Sequence, residues 1–123
     1  MMESPFTPIL TAIARQRGVS AVLIVSERDG IVIDGHMHVG ISEDRVAALA
    51  ASLYRKARMA ANAAGMGNTS FMQLEAPRGR ICAVGAGDVV LVVVTQPSIN
   101  VGMVRMEMLR AVPVVEAAAG GAS

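Results

Sequence analysis

The stretch Ser42–Gly65 (SEDRVAALAASLYRKARMAANAAG) constrains the fold most strongly, because its pattern predicts one long helix. Ser42 is a favourable N-cap residue, and the negative charges of Glu43 and Asp44 suit the positive end of the helix dipole. Gly65 suits the end of the helix, since glycine adopts the left-handed conformation without steric cost. At about 1.5 Å per residue this helix is roughly 33 Å long, the size of a small domain.

One side of the long helix carries apolar residues at helical spacing, and we expect this stripe to lie on the core. Most of the remaining surface is bare, because no charged residue occurs between Arg45 and Arg55. A helix surface whose side chains are this small and uncharged indicates that another molecule covers it. The predicted core stripe consists of Val46, Leu49, Ala50, Leu53, Ala57, Ala60, Ala61 and Ala64.

Length and composition favour one domain without nucleic-acid or membrane-spanning function. The 123 residues are 53% hydrophobic and 2% aromatic, so aliphatic side chains must build the core. A net charge of +1 without a basic, aromatic-rich cluster argues against nucleic-acid binding. The longest apolar run, Val89–Val94, is too short to cross a bilayer, and the first residues do not resemble a signal peptide. With a single cysteine, these features predict a cytoplasmic protein.

Patterning along the rest of the chain predicts two shorter helices and five strands. Turn residues at Asp29-Gly30 and Gly85–Asp88 favour hairpins and therefore mainly antiparallel pairing. Pro113 should end or kink the last helix, which predicts a domain over 1–113 and a flexible tail over 114–123. The predicted elements are a first helix capped by Thr7 and ending at Gly18, strands Val19–Val25, Ile31–Asp34, Thr69–Glu75, Arg80–Val84 and Val89–Thr95, and a last helix capped by Ser98.

This order predicts an α+β fold, a five-stranded mainly antiparallel sheet sandwiched between one long helix and two shorter helices. The apolar runs Val19–Val25 and Val89–Val94 do not alternate, which is typical of strands covered on both faces. Thr69–Glu75 carries no charge before Glu75, and an edge strand without charge favours pairing with a second chain. The alternative is that the linker before this strand covers it.

Taken together, the elements resemble the Roadblock family, the dynein light-chain relatives whose bacterial members include MglB. The resemblance covers roughly Thr7 to Val112 and depends on order and spacing as much as on local motifs. The local signatures are Gly18–Ala21 followed by Asp29-Gly30, the alanine-rich helix 46–64, the hairpin Gly79–Val94, and Asn100–Arg105 at the start of the last helix.

The resemblance implies a non-enzymatic dimer that acts on a Ras-like small GTPase or serves as an adaptor. In such dimers the third strands pair edge to edge, two sheets become one, and the long helices lie side by side. The resemblance also implies that the GTPase docks on the long helix and that its own switch residues carry out hydrolysis. The implied dimer interface is Thr69, Ser70, Phe71, Met72, Gln73, Leu74 and Glu75.

Small side chains on the long helix would let another backbone approach closely, and methionine adapts to irregular partners. Alanine is also the best helix former, so propensity alone is an alternative explanation. Arg55, Lys56 and Arg58 could steer an acidic partner or simply complement the helix dipole. An arginine finger is disfavoured, because these residues lie within a helix and not on a mobile loop. The candidate docking residues are Ala48, Ala51, Ser52, Arg55, Met59, Asn62 and Ala63.

Other motifs give no enzyme, cofactor or metal prediction. His36 and His38 share one side of an extended segment, but a third ligand is missing nearby. Cys82 lies in an apolar strand and is expected to be a core residue. Gly85–Asp88 lacks the Lys-Ser/Thr of a phosphate loop and is expected to be a turn. A small-molecule sensor remains an alternative function, and it would require an apolar pocket with a few polar groups.

Overall fold

The structure, a computed structural model, describes residues 4–38, 40 and 42–121. It confirms the predicted element order and the α+β class over these residues. The elements are α1 (Thr7–Ala14), β1 (Val19–Ser26), β2 (Val32–Met37), α2 (Glu43–Ala63), β3 (Met72–Ala76), β4 (Gly79–Ala86), β5 (Val89–Thr95) and α3 (Val101–Gly121).

The five strands form one sheet in the order β2-β1-β5-β4-β3, and every neighbouring pair is antiparallel. Strands β2 and β3 are therefore the two edges, and β1 and β5 lie in the interior. Burial on both faces explains why β1 and β5 do not alternate, since residues 21–25 and 89–93 are buried without interruption.

Two layers of core enclose the sheet. Helices α1 and α3 cover one face, where Ile13, Val22, Leu91 and Met108 are buried together. Helix α2 covers the other face with a smaller core that includes Leu23, Val92 and Tyr54. The layer under α2 is thin because three of its buried helix residues are alanines, which let the helix approach the sheet closely: Ala47, Ala50 and Ala51.

The β4–β5 turn is shorter than predicted. Gly85 and Ala86 belong to strand β4, and Ala86 pairs with Val89 across a two-residue turn. Gly87 has a φ of +67°, as the first central residue of a type II′ hairpin turn requires. Gly85 is therefore a strand residue.

Helix α2 confirms the predicted boundaries to within about a residue, but only part of the predicted core stripe is buried: Ala50 lies in the core and Val46 packs against it. Leu49 and Leu53 are 61% and 44% exposed, whereas Ala47, Ala51 and Tyr54 are buried. The buried side is rotated by about a quarter turn from the predicted stripe at 100° per residue. Ser42 occupies the N-cap position but makes no capping hydrogen bond through its side chain.

The two ends of α3 also differ from the prediction. Asn100 and not Ser98 caps the helix, since the Met103 amide donates to Asn100 Oδ1 at 3.3 Å. The helix passes through Pro113 and reaches Gly121, with a length of 21 residues equal to that of α2. Residues 114–121 are thus helical where a flexible tail was predicted, and residues 122–123 lie outside the described part.

The physical reason is burial beyond the proline. Val115 is fully buried in the core that α1 and α3 share, and Ala118 and Ala119 pack against the same cluster. Burying apolar surface stabilises this last stretch against the hydrogen bond that Pro113 cannot donate.

Candidate functional site

Two arginines fix how α2 lies on the sheet. Arg55 Nη1 donates to the carbonyl oxygens of Glu27 at 3.1 Å and Arg28 at 3.3 Å. Arg58 Nη2 lies 2.6 Å from Glu27 Oε1 in a partly buried ion pair. These bonds attach one flank of α2 to the turn that joins β1 to β2. The backbone of Ala48 also touches this turn, since a Cβ on Gly30 would lie 3.1 Å from Ala48 Cα.

The other flank of α2 faces away from the β1–β2 turn, because its positions project about half a turn away from Arg55. Leu49 and Leu53 form an exposed ridge there, and no charged residue interrupts it. We call this surface the apolar flank. It consists of Val46, Leu49, Leu53, Ala57 and Ala60.

Strand β3 is the edge of the sheet opposite β2. Among the described residues no strand lies beyond it, so its outer row of backbone groups faces away from the sheet. Gln73, Leu74 and Glu75 are exposed, and Leu74 is 46% exposed. Glu75 lies 3.7 Å from Arg80 on the neighbouring strand, which places the only charge of β3 at the far end of the edge.

The first residues of the predicted interface precede strand β3 and make contacts within the chain. The Thr69 carbonyl accepts a 3.1 Å hydrogen bond from the Tyr54 hydroxyl. Phe71 packs on the α1/α3 side of the sheet, with the Arg105 guanidinium 5.5 Å from its ring centroid. Met72 packs on the opposite side, against the core beneath α2. Ser70 is exposed just before the strand.

The predicted docking residues lie on the solvent side of α2, with one correction. Ala51 is 1% exposed and packs on the sheet, because the true buried side of α2 includes it. We call the remaining set the outer face. It consists of Ala48, Ser52, Arg55, Met59, Asn62 and Ala63, of which Ser52 and Arg55 are half-buried.

Hydrogen bonds order the end of the outer face. Asn62 Nδ2 donates to the Arg58 carbonyl at 3.0 Å and to Asn68 Oδ1 at 2.9 Å. The helix ends at Ala63, and Gly65, two residues later, has a φ of +73°, which confirms the predicted left-handed residue. The side chains of Arg55 and Arg58 both bond to the β1–β2 turn.

Two titratable groups lie beneath these surfaces. Burial raises the pKa of the Tyr54 phenol above its ordinary value of 10.0, although a backbone hydrogen bond from Gly85 partly opposes the shift. Burial likewise raises the pKa of the Cys82 thiol above 9.0, against a smaller opposing effect of Arg80. Both groups are therefore neutral at physiological pH. Cys82 is fully buried, which confirms the prediction of a core residue.

Metal and membrane features are lacking in the part of the chain that the structure describes. The rings of His36 and His38 meet edge to face with centroids 6.0 Å apart, and no third acidic, histidine or cysteine side chain completes a metal site there. Among residues 4–38, 40 and 42–121, none of the helices combines the length and apolarity needed to cross a bilayer.

A comparison with protein families shows which family has this architecture. The family model described as the Roadblock/LC7 domain matches residues 8–95, which is most of the chain. The chain belongs to the Roadblock/LC7 family. The resemblance predicted from the sequence is thereby confirmed. A protein of Methanocaldococcus jannaschii, MJ0714, is 28% identical to this Roadblock/LC7 chain over 117 residues, which cover 95% of the chain and 98% of that protein.

Two solved structures described as MglB share the fold. A structure described as MglB with a tetrameric arrangement superposes with a TM-score of 0.87 at 20% identity, covering 100% of this chain and 96% of that one. The gliding protein MglB of Thermus thermophilus has a TM-score of 0.84 at 19% identity, with coverage of 98% and 95%. At these identities the likeness establishes a common architecture and no more.

The apolar flank is the feature that sequence reasoning assigned to the wrong environment. Ala47, Ala50, Ala51 and Tyr54 also recur at helical spacing, so α2 carries two adjacent apolar stripes. The presence of a second stripe was the signal that one of them had to face outward. Choosing between them required the contacts of Arg55 and Arg58, which no local pattern contains.

Proposed function

We propose that this Roadblock/LC7 protein is a homodimeric regulator of a Ras-like small GTPase. It binds the GTPase through the outer face of α2 and promotes GTP hydrolysis without contributing an arginine finger or other catalytic residue. Two observations carry the proposal: the apolar flank of α2 exposes Leu49 and Leu53, and strand β3 is an open edge of the sheet in the described part of the chain.

A second copy satisfies both features at once. Antiparallel pairing of two β3 strands joins two five-stranded sheets and completes the hydrogen bonds of both edges. The same two-fold axis brings the two apolar flanks together, so Leu49 and Leu53 of each chain leave water. Full burial of a leucine is worth roughly 1.5–3 kcal/mol, so four leucines offset a substantial part of the cost of association.

The paired helices then present two outer faces as one platform. Ala48, Ser52 and Ala63 have small side chains, which allow a partner backbone to approach, and the exposed thioether of Met59 can adapt to it. The exposed cations Arg45 and Lys56 lie between the outer face and the flank and favour a partner with an acidic surface.

The bonds made by Arg55 and Arg58 support a mechanism without a finger. A finger must reach the transferring phosphoryl group, and extracting Arg58 would leave Glu27 without its ion-pair partner. Any acceleration of hydrolysis would therefore come from ordering the switch residues of the GTPase itself, by population shift toward a competent state.

The test is GTP hydrolysis by a purified Ras-like GTPase, chosen from a gene adjacent to the gene of this protein, with and without the protein. The proposal predicts a higher single-turnover rate that survives Arg55→Lys and Arg58→Lys. Binding with an unchanged rate would assign the protein to the class of adaptors. Failure to bind the GTPase in either nucleotide state would contradict both roles.

A further inference from the structure

The face of the sheet opposite α2 carries a groove between α1 and α3. A cleft of about 540 Å³ opens where the end of α1 meets the start of α3, with Arg17, Ile99 and Met103 on its walls. A second cleft of about 280 Å³ opens farther along, where Ala12 and Ile13 of α1 face Ala111 and Val114 of α3.

The two clefts lie in line, because α1 and α3 run antiparallel beside each other. Residues 16–18, just after α1, border the start of α3 in the first cleft, and α1 itself borders the middle of α3 in the second. Met103 and Val114 are eleven residues apart, or about 16 Å along the helix axis. We call the two clefts together the α1/α3 groove. Its length matches about three turns of a helix and exceeds a compact small molecule.

The groove is apolar in its walls, and the charged residues that line it are Arg17 in the first cleft and Arg110 with Glu107 in the second. Met103, Met106 and Val114 are 50%, 45% and 53% exposed, so α3 turns an apolar side outward. Arg15 and Arg17 are exposed at the end of α1. Arg110 is 70% exposed, and its 3.8 Å approach to Glu107 is too long and too solvated to neutralise it strongly.

We propose that the α1/α3 groove binds an acidic amphipathic helix of a partner protein. Apolar residues of that helix at spacings of three and four occupy the clefts, and carboxylates beside them face Arg17 and Arg110. The methionines at the rim adapt to the shape of the inserted side chains. The site lies across the sheet from α2, so the inference does not depend on the proposed regulation of a GTPase.

The test is peptide display on the intact protein with a library of random 14-residue sequences, followed by affinity measurement of the enriched peptides by fluorescence anisotropy. The enriched peptides should be net acidic, with apolar residues repeating at helical spacing. Val114→Glu and Arg17→Glu should each weaken binding by about tenfold or more, through lost apolar contact and through charge repulsion.

Arg28→Glu is the matched control, because it makes the same charge change at the β1–β2 turn on the other side of the molecule and should leave binding unchanged. Circular dichroism of each variant separates loss of binding from loss of fold. Enrichment of basic or neutral peptides, no enrichment, or binding insensitive to both variants would overturn the proposal. Tighter binding to phosphatidylserine vesicles than to the peptides, with the same sensitivity to Arg17→Glu, would overturn it in favour of a membrane surface.

Discussion

The hydroxyl of Tyr54 on α2 lies directly over Gly85 on β4, where any side chain would overlap it. A Cβ on Gly85 would also lie 2.9 Å from Tyr54 Cζ. The same hydroxyl bonds to the Thr69 carbonyl, so one phenol connects α2, the interior of the sheet and the segment that leads into β3. Glycine is required at position 85 because it has no side chain, and not because the backbone there adopts a turn conformation.

Gly85→Ala should therefore destabilise the fold by about 1–3 kcal/mol, the usual cost of overpacking, because Tyr54 must leave its position. Chemical denaturation measures the change. Gly102→Ala in α3, where the nearest heavy atom is 3.4 Å from the added carbon, is the control and should not destabilise. Adding Tyr54→Phe to Gly85→Ala should recover part of the loss, and purely additive losses would contradict the proposed overlap.

Leu49→Glu with Leu53→Glu should convert the proposed dimer to a monomer without unfolding the chain, because both side chains are exposed in the single chain. Sedimentation velocity or light scattering gives the mass. Met66→Glu is the control, since Met66 is 81% exposed but lies outside the apolar flank. An unchanged mass for the double variant would argue against side-by-side helices, and Leu74→Lys then tests the β3 edge separately.

Ala48→Arg and Ala51→Arg should behave differently although they are three residues apart. Ala48 is exposed on the outer face, so its arginine should abolish GTPase binding and leave the fold and the dimer intact. Ala51 is 1% exposed, so its arginine would bury a charge against the sheet and should unfold the protein. Pull-down and thermal melting distinguish the two, and full GTPase retention by Ala48→Arg would exclude the outer face.

The free energy of unfolding should fall at alkaline pH in two steps, the first from Cys82 and the second from Tyr54. The folded state holds the Cys82 and Tyr54 protons beyond the ordinary pKa values of 9.0 and 10.0, whereas the unfolded chain releases them there. The unfolded state then binds fewer protons, so the free energy of unfolding decreases as pH rises through each window. Cys82→Ala should flatten the decrease above pH 9, and Tyr54→Phe the decrease above pH 10. Slopes identical to wild type would refute this assignment.

Val115→Ala should cost roughly 2 kcal/mol of unfolding free energy, from lost apolar burial and the cavity left behind. Its neighbour Val114 is 53% exposed, so Val114→Ala should change stability by less than about 0.5 kcal/mol. Urea denaturation of the pair measures whether the chain beyond Pro113 belongs to the folded domain. Equal effects of the two variants would favour a tail.

The element order could be predicted because its signals are local. Gly30 and Gly87 mark the hairpins, and β5 is long and apolar enough to be unambiguous. The rotation of α2 could not be predicted, since it depends on contacts with Glu27 that lie far along the chain. The prediction that the last helix ends at Pro113 failed for a similar reason. Proline does weaken a helix locally, but the burial of Val115, which stabilises the helix beyond it, is a tertiary effect.

The candidate site, too, could be predicted only in part from the sequence. The open edge of β3 could be proposed from its lack of charge and from the family resemblance, and the structure places that strand at the end of the sheet. Ala51 was assigned to the docking surface because its small side chain resembles those of Ala48 and Ala63. Only the packing of the helix on the sheet separates the three alanines.

The arrangement of layers has a consequence for valency. A two-fold axis that joins the β3 edges stands perpendicular to the sheet, so both copies of α2 point one way and both α1/α3 grooves point the other. The pair would then be a bivalent receptor on its reverse side. A ligand that carries two acidic helices on a linker matched to the distance between the grooves would gain avidity far beyond a single helix, while the platform on the front stays open.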